Sequence, residues 1–212
     1  MIRWKIAQAA ELKWWQNYLK NKDAKTYLEW KKSYWIEFLR KCAIGLPKNA
    51  SCLDAGCGPA GIFIILGNNT VDACDPLIDK YEGLDVFDKT AYADVNFLKS
   101  SIENFNIEKQ YDYIFCLNAI NHVADLEKSI AKLYEVLQPK GTLLLSTDVH
   151  RYKFLKTIFR FLPGDILHPQ QHSLKDYRKI IAEKNLEIDR EILIKRTAIF
   201  DYYAIVLKKS IA

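Results

Sequence analysis

The chain is poor in glycine and proline, and it has no long hydrophobic run. Only eight of its 212 residues are Gly and six are Pro, and neither type occurs before Gly45. No apolar stretch approaches the ~20 residues of a membrane-spanning helix. Lys5 and Glu11 interrupt the N-terminal segment where a secretory signal needs an apolar core. We therefore expect neither a fibrous repeat nor a membrane span nor a secretory leader.

Cysteine and histidine are scarce and lack metal-site spacing. The five cysteines are an odd number, and Cys52 and Cys57 stand too far apart for a zinc-finger pair. The four histidines are scattered between His122 and His172. We expect no disulfide framework and no metal, and a reducing, cytoplasmic location.

The chain also lacks a strong excess of either charge sign. The net charge is +5, with 27% charged and 50% hydrophobic residues, which is ordinary globular composition. Disorder is excluded, and a nucleic-acid partner is not expected because dedicated nucleic-acid binders carry denser positive charge. The surplus favours a small anionic substrate without requiring one.

The first 48 residues differ in texture from the rest. All five tryptophans lie within the first 35 residues, and the apolar positions recur at helical spacing. We predict two helices, interrupted near residues 21–23, that form an accessory segment or lid over residues 1–48. The positions assigned to their inner faces are Ile6, Ala10, Trp14, Leu19, Tyr27, Trp30, Tyr34 and Phe38.

From residue 51 onward, short β-rich runs alternate with helical runs, which predicts a parallel sheet covered on both faces. Helices are expected after the first two strands, and another helix is expected to end at Pro139 before a strand that begins at Thr142. The last two β-rich runs are separated only near Thr197, so they should form an antiparallel hairpin. We predict an α/β, Rossmann-like doubly wound domain over residues 49–212, with an insertion at about 149–173.

A glycine-rich turn follows the first strand of this domain. In the segment from Asp54 to Gly61, Gly56 permits a tight turn, Gly58 lets a ligand approach the backbone, and Gly61 allows close packing. Asp75 ends the next strand, where doubly wound folds place an acid that binds ribose hydroxyls. Asp75 could equally cap a helix before Pro76. The two features together indicate a nucleoside-containing cofactor.

Four segments stand in the order and approximate spacing of the motifs of one family. They are DAGCGPAG (54–61), VDACD (71–75), YDYIFCLNAINHV (111–123) and LYEVLQPKG (133–141). This set resembles the class I S-adenosylmethionine-dependent methyltransferases, and looks most similar to their type-11 domain group. The resemblance implies seven strands, mostly parallel with an antiparallel last strand, and S-adenosylmethionine as the cofactor.

The resemblance also implies a set of cofactor contacts. Asp54 and the turn residues would surround the methionine end, Asp75 would hold the ribose, and Asn118 and Ala119 would lie near the reactive methyl. Ser101 and Ile102 occupy the adenine position, where the family usually has Asp followed by an apolar residue. The full set of candidate cofactor residues is Asp54, Gly56, Cys57, Gly58, Pro59, Gly61, Asp75, Pro76, Leu77, Ser101, Ile102, Asn118 and Ala119.

The residues that act on the methyl acceptor carry a weaker signal. A base is needed only if the acceptor starts protonated, and the candidates are His122, Asp148 and His150. In the family the position of His122 is also a packing and helix-start position. The candidates for acceptor contact are Trp14, Tyr18, His168 and His172. Basic and aromatic residues interleave over 150–161, which fits an acceptor pocket, a peripheral membrane contact or an ordinary solvated helix face.

We therefore expect a methyltransferase that acts on a small molecule, as a monomer or homodimer. Methylation of a base amine is disfavoured because Asn118-Ala119-Ile120-Asn121 lacks the Asn/Asp-Pro-Pro-aromatic signature. The enzymatic alternative is an NAD(P)-dependent oxidoreductase, which shares the glycine turn and the later acid. The other alternative is a non-catalytic S-adenosylmethionine-binding protein.

Overall fold

A mixed β-sheet forms the centre of the computed structural model, which describes residues 2–209 except 46, 107 and 151–171. Within these residues the sheet has seven strands, in the order β3-β2-β1-β4-β5-β7-β6. The strands are β1 (Ser51–Ala55), β2 (Thr70–Cys74), β3 (Val95–Leu98), β4 (Tyr111–Leu117), β5 (Leu137–His150), β6 (Leu186–Arg196) and β7 (Phe200–Lys209).

The first five strands pair in parallel, and β7 runs antiparallel between β5 and β6. The seven-stranded α/β fold and the terminal hairpin are thus confirmed. The chain leaves β1 in one direction along the sheet and crosses to β4 on the other side. Ligands of open α/β sheets bind at this switch point, outside the carboxyl ends of the strands.

Helices cover both faces of the sheet. The two predicted N-terminal helices are present as α1 (Ile2–Leu19) and α2 (Ala24–Lys41), and Asp23 caps α2 by accepting the Thr26 N–H at 2.8 Å. They pack on one face, while α3 (Leu126–Glu135) and α4 (Leu174–Glu183) pack on the other. Among the described residues, no helix combines the length and the apolar character needed to cross a membrane.

The prediction of helices after β1 and β2 was wrong. The structure has only short 3-10 turns there, Ile62–Ile65 and Ile78–Gly83. Between β1 and β2 the turn is confined between Gly61 and Gly67, which leaves too few residues for a stable α-helix. Helix α2 packs over this turn instead, and its Trp35 indole N–H donates to the Ala60 carbonyl at 3.1 Å.

Two further boundaries differ from expectation. Helix α3 ends at Glu135, and β5 already begins at Leu137, so Pro139 lies in a strand. The pairing of β4 with β5 shifts register between Tyr111 and Tyr113, and this irregularity accommodates the residues around Pro139.

The predicted inner faces of α1 and α2 were also partly wrong. Ile6 and Trp14 on α1 and Trp30 on α2 are exposed to 49%, 45% and 51%. Tyr27, Phe38 and Leu19 are buried as predicted, and Ala10 and Tyr34 are partly buried. Trp35, which was not assigned to an inner face, is buried as well. The apolar spacing of α1 was misleading because its true inner face contains polar residues.

Replacing Trp35 by Phe is expected to lower the free energy of unfolding by about 2 kcal/mol, since it removes a buried hydrogen bond and leaves the Ala60 carbonyl without its donor. Urea denaturation measures the change. Trp30→Phe is the matched control on the exposed face of α2, with an expected change below ~0.5 kcal/mol. Equal losses in both variants would contradict the docking of α2 through Trp35.

Candidate active site

A cavity opens at the carboxyl ends of β1, β2 and β4 and is roofed by α1 and α2. Its volume is about 800 Å³ including its open mouth. Its wall contains ten of the residues proposed from the sequence: Gly56, Cys57, Gly58, Asp75, Pro76, Ser101, Ile102, Asn118, Ala119 and His122. Residues far apart in the chain are thus brought to the single place expected for a ligand.

The glycine turn forms the floor of the cavity. Gly56 and Gly58 have φ of +74° and +57°, a left-handed conformation that costs little only for glycine. A Cβ on Gly56 would overlap the Ala119 side chain. The N–H groups of Gly56 and Cys57 donate to the Cys74 carbonyl at 2.8 and 3.1 Å, which joins the turn to the end of β2.

Asp75 connects the turn to the next loop. One carboxylate oxygen accepts the Gly58 N–H at 3.0 Å, and the other accepts the Leu77 N–H at 2.8 Å. Burial raises the pKa of Asp75 to about 6, and these N–H donors oppose that rise. Asp75 therefore supports the local backbone while it lines the cavity. The helix that it was expected to cap before Pro76 is absent, since the next helical element is the 3-10 turn Ile78–Gly83.

Asp54 lies behind the turn and is not part of the cavity wall. Its carboxylate accepts the Phe63 N–H at 3.0 Å, at the start of the 3-10 turn that follows β1. Burial raises its pKa to about 7, and the Asp75 charge adds to the rise. Pro59, Gly61 and Leu77 are likewise buried beside the wall rather than in it. These four residues shape the site from behind.

The ends of β3 and β4 supply the opposite wall. Asn118 has φ of +54°, and its N–H is held by Ser146 through the carbonyl and hydroxyl oxygens, both at 3.0 Å. Ser101 accepts the Asn104 side-chain amide at 2.9 Å, beside buried Ile102. His122 follows in a short 3-10 turn, where it is partly buried.

Helix α1 contributes four cavity-lining residues that were not predicted from the sequence. Trp4, Gln8, Glu11 and Trp15 all line the cavity, and their spacing places them on one helical face. That spacing was the available signal, but only the apolar positions Ile6, Ala10, Trp14 and Leu19 of this helix were assigned to the inner face. Trp14 and Tyr18, which were expected to contact the acceptor, lie outside the cavity wall with exposed side chains.

Glu11 is the most perturbed acid of the cavity wall. Burial, assisted by the Asp75 charge, raises its pKa to about 8, while a hydrogen bond from Trp15 opposes the rise. Its Oε2 lies 3.9 Å from Nδ1 of His122. The helix roof thus carries a proton-binding group next to the predicted base at the end of β4.

Lys31 brings a positive charge to the cavity from α2. Its ammonium lies 4.4 Å from the Trp35 ring centroid and 5.3 Å from that of Tyr34. Burial lowers its pKa to about 8, although the Asp54 charge favours the protonated form.

Two buried acceptor atoms of the cavity wall have no hydrogen-bond donor within the described part of the chain. They are Oε1 of Gln8 and Oε2 of Glu103. The other oxygen of Glu103 accepts the N–H groups of Ala124 and Asp125 at 2.7 and 3.2 Å. Because buried acceptors are usually paired, these two atoms suit a ligand that donates hydrogen bonds.

The remaining candidates lie elsewhere. Asp148 is partly buried near the end of β5, close enough to Tyr34 and Tyr202 to influence their pKa values, but it is not in the cavity wall. His172 packs against Tyr177 at a ring distance of 5.7 Å, in a separate groove beside α3. His150 ends β5, but its side chain lies outside the described residues, as do His168 and all of segment 151–171.

Across the described ranges, no group of three or more His, Cys, Asp or Glu is arranged to hold a metal.

Comparison with known families identifies a match over most of the chain. The sequence model of a family described as a methyltransferase domain matches residues 27–191. This match extends from α2 into β6 and includes the glycine turn, Asp75 and the end of β4.

Individual relatives and structures point the same way. The chain is 28% identical over 136 residues to a ubiquinone biosynthesis O-methyltransferase of Rickettsia akari, with 63% of this chain and 54% of the relative covered. For the protein of that name from Rickettsia conorii, identity is 31% over 138 residues, with 64% and 47% covered. The chain thus spans about half the length of these curated relatives. The 1,6-didemethyltoxoflavin-N1-methyltransferase of Burkholderia thailandensis, solved with S-adenosylhomocysteine, shares the fold at a TM-score of 0.65 and 13% identity, with 99% of this chain and 88% of that chain covered.

The raised pKa of Asp54 predicts a distinctive pH dependence. The pKa of Asp54 is higher in the folded state than its unfolded value of 3.8. The stability that its bound proton contributes is therefore fully present below pH 3.8 and is lost as the pH rises through about 7. Relative to the wild type, Asp54→Asn should therefore gain about 2–4 kcal/mol in unfolding free energy between pH 4 and pH 8. Denaturant titrations at several pH values measure the difference.

Asp88→Asn is the control with the opposite sign. Hydrogen bonds from Thr90 lower the pKa of exposed Asp88, so this variant should lose stability relative to the wild type as the pH rises. A stability difference for Asp54→Asn that did not change with pH would contradict the placement of Asp54 as a buried acid.

Proposed function

The chain belongs to the class I S-adenosylmethionine-dependent methyltransferases, and we propose that it methylates a hydroxyl group of a ubiquinone precursor. The single structural observation that carries this proposal is the placement of His122 and Glu11 in the wall of the cofactor cavity, 3.9 Å apart. The names of the two Rickettsia relatives support the choice of acceptor.

The residues of the cavity fit S-adenosylmethionine. The glycine turn would accept the methionine end, because Gly56 and Gly58 line the cavity and have no side chains to fill it. Asp75 would bind the ribose hydroxyls, and Pro76 and Ile102 would flank the adenine. Lys31 would pair with the methionine carboxylate, since it is the cation that faces the turn from α2. The orphaned acceptors of Gln8 and Glu103 suit the donors of the amino acid or the base.

Transfer to oxygen would give the proton-binding groups His122 and Glu11 a role beside the methyl group. The cofactor supplies an electrophilic methyl group on a good leaving group, so the protein has to orient the acceptor and exclude water. A hydroxyl must also lose its proton as it reacts, and a base with a pKa near neutrality serves this best. His122 stands beside Asn118 and Ala119, where that proton would be released.

The N-terminal helices would act as the lid predicted for residues 1–48. Trp4, Trp15 and Trp35 line the cavity and present large apolar surfaces that keep water away from the reacting atoms. The insertion predicted at about 149–173 falls mostly outside the described residues, so its part in the acceptor side stays a prediction.

Membership of this family decides against the NAD(P)-dependent oxidoreductase, which was considered because it shares the glycine turn and the later acid. A protein that only binds the cofactor differs from an enzyme in one respect, which is turnover. An acceptor assay therefore distinguishes a methyltransferase from a protein that only binds the cofactor.

Purified protein supplied with methyl-labelled S-adenosylmethionine and hydroxylated ubiquinone precursors should form labelled O-methyl product, measured by mass spectrometry. The matched control is the same ring with its hydroxyl replaced by an amine, for which we expect no transfer. Transfer to the amine but not to the hydroxyl would contradict O-methylation, and cofactor binding without any transfer would favour the non-catalytic protein.

Asp75→Asn is expected to weaken S-adenosylhomocysteine binding by at least ~1.4 kcal/mol, which is tenfold, because it removes the charged acceptor for the ribose hydroxyls. Calorimetric titration measures the affinity. Asp79→Asn is the control, since Asp79 lies on the same connection but is exposed and paired with Lys89 and Lys99. Equal affinity in the wild type and Asp75→Asn would remove Asp75 from the ribose site.

A further inference from the structure

Four carboxyl groups lie in or directly behind the cavity wall, and they are not equivalent. Asp54 and Asp75 are each held by backbone N–H groups of the glycine turn and the loops beside it. Glu103 accepts two backbone N–H groups through one of its oxygens. Glu11 is instead the one carboxyl of the four that comes from α1, in the roof. The proposed transfer to oxygen uses it as a proton-binding group beside His122 but assigns it no contact with the cofactor.

We propose that the carboxylate of Glu11 is the counter-charge for the sulfonium of the cofactor. It makes the site prefer the positively charged S-adenosylmethionine to S-adenosylhomocysteine, whose sulfur is uncharged. This inference rests on the proposed cofactor placement and is independent of the identity of the acceptor.

The position of Glu11 supports this assignment. Its Oε2 lies 3.9 Å from Nδ1 of His122, on the side of the cavity proposed for the methyl group, and it interacts electrostatically with Asp75, which is proposed to hold the ribose. The sulfur of the cofactor is bonded to the methyl group, the ribose C5′ and the methionine chain. In the proposed placement it would therefore lie between His122 and Asp75, and Glu11 interacts with both of these residues.

Neighbouring charges determine whether Glu11 can be ionised. Burial and the charge of Asp75, which follows β2, oppose its ionisation, and Tyr81 interacts with both Glu11 and Asp75. Glu103 from the loop after β3 and Lys31 from α2 line the same cavity, and Nδ1 of His122 lies 3.9 Å from Glu11. A ligand cation placed among these groups would offset the excess of acidic groups.

The titration of Glu11 makes the preference depend on pH. Burial holds its pKa at about 8 without a ligand, so at pH 6 to 7 the group is mostly protonated and must release its proton before it can face a cation. The affinity for S-adenosylmethionine should rise with pH up to about 8. The affinity for S-adenosylhomocysteine, whose sulfur is uncharged, should not show this rise.

The test compares the affinities of S-adenosylmethionine and S-adenosylhomocysteine by calorimetry at pH 6, 7 and 8.5. We expect Glu11→Gln to weaken binding of the charged cofactor on the order of tenfold and to leave binding of the product within about twofold. The ratio of the two affinities should increase with pH in the wild type and stay flat in the variant. Glu29→Gln on the exposed surface of α2 is the matched control and should behave as the wild type.

Each other outcome overturns the assignment in a distinguishable way. Equal losses for both ligands would mean that Glu11 holds a part they share, such as the ribose or the amino group. Unchanged affinities for both would show that Glu11 does not face the ligand. If the wild type bound neither ligand, the proposed cofactor site itself would fail, and the role of Glu11 with it. Product binding by Glu11→Gln also verifies that the variant is folded.

Discussion

The hydrogen bonds between the glycine turn and the end of β2 are the constraint on which the site depends. Two N–H groups of the turn reach the Cys74 carbonyl, and a third reaches the Asp75 carboxylate. They require backbone conformations that glycine adopts at little cost. The floor of the cavity is therefore set by backbone geometry before any ligand arrives, which lowers the entropic cost of binding.

The N-terminal helices cover the face of the sheet where the connection after β1 has no crossover helix. Most of the cover expected from a crossover helix after β1 comes from α2, which packs on the short turn at Ile62–Ile65 and is fixed by Trp35. Helix α1 then extends over the opening, so its inner face becomes a wall of the site. Fold and function are linked here, because the same segment buries one face of the sheet and supplies Glu11 and Trp15 to the cavity.

The sequence predicted the parts of this arrangement that arise from local chemistry. The β-rich runs, the Asp23 break and the short link at Thr197 each act within a few residues, and they identified the strands, the two helices and the hairpin. The glycine turn and Asp75 were recognisable because a fixed backbone geometry requires them. The inner face of α1 was not, since a cavity rather than a core selects Gln8 and Glu11, and polarity then no longer indicates solvent.

Burial in the central sheet also determines how reactive the cysteines are. All five are buried with free thiols, and four of them, Cys52, Cys57, Cys74 and Cys116, belong to the central strands or the glycine turn. Burial raises the pKa of Cys52 and Cys74 to about 12 and those of Cys57 and Cys116 well above their usual value. The thiolate is the form that oxidants and alkylating agents attack. A folded molecule should therefore resist such damage at its centre, and rapid modification of these thiols would report that the sheet has opened.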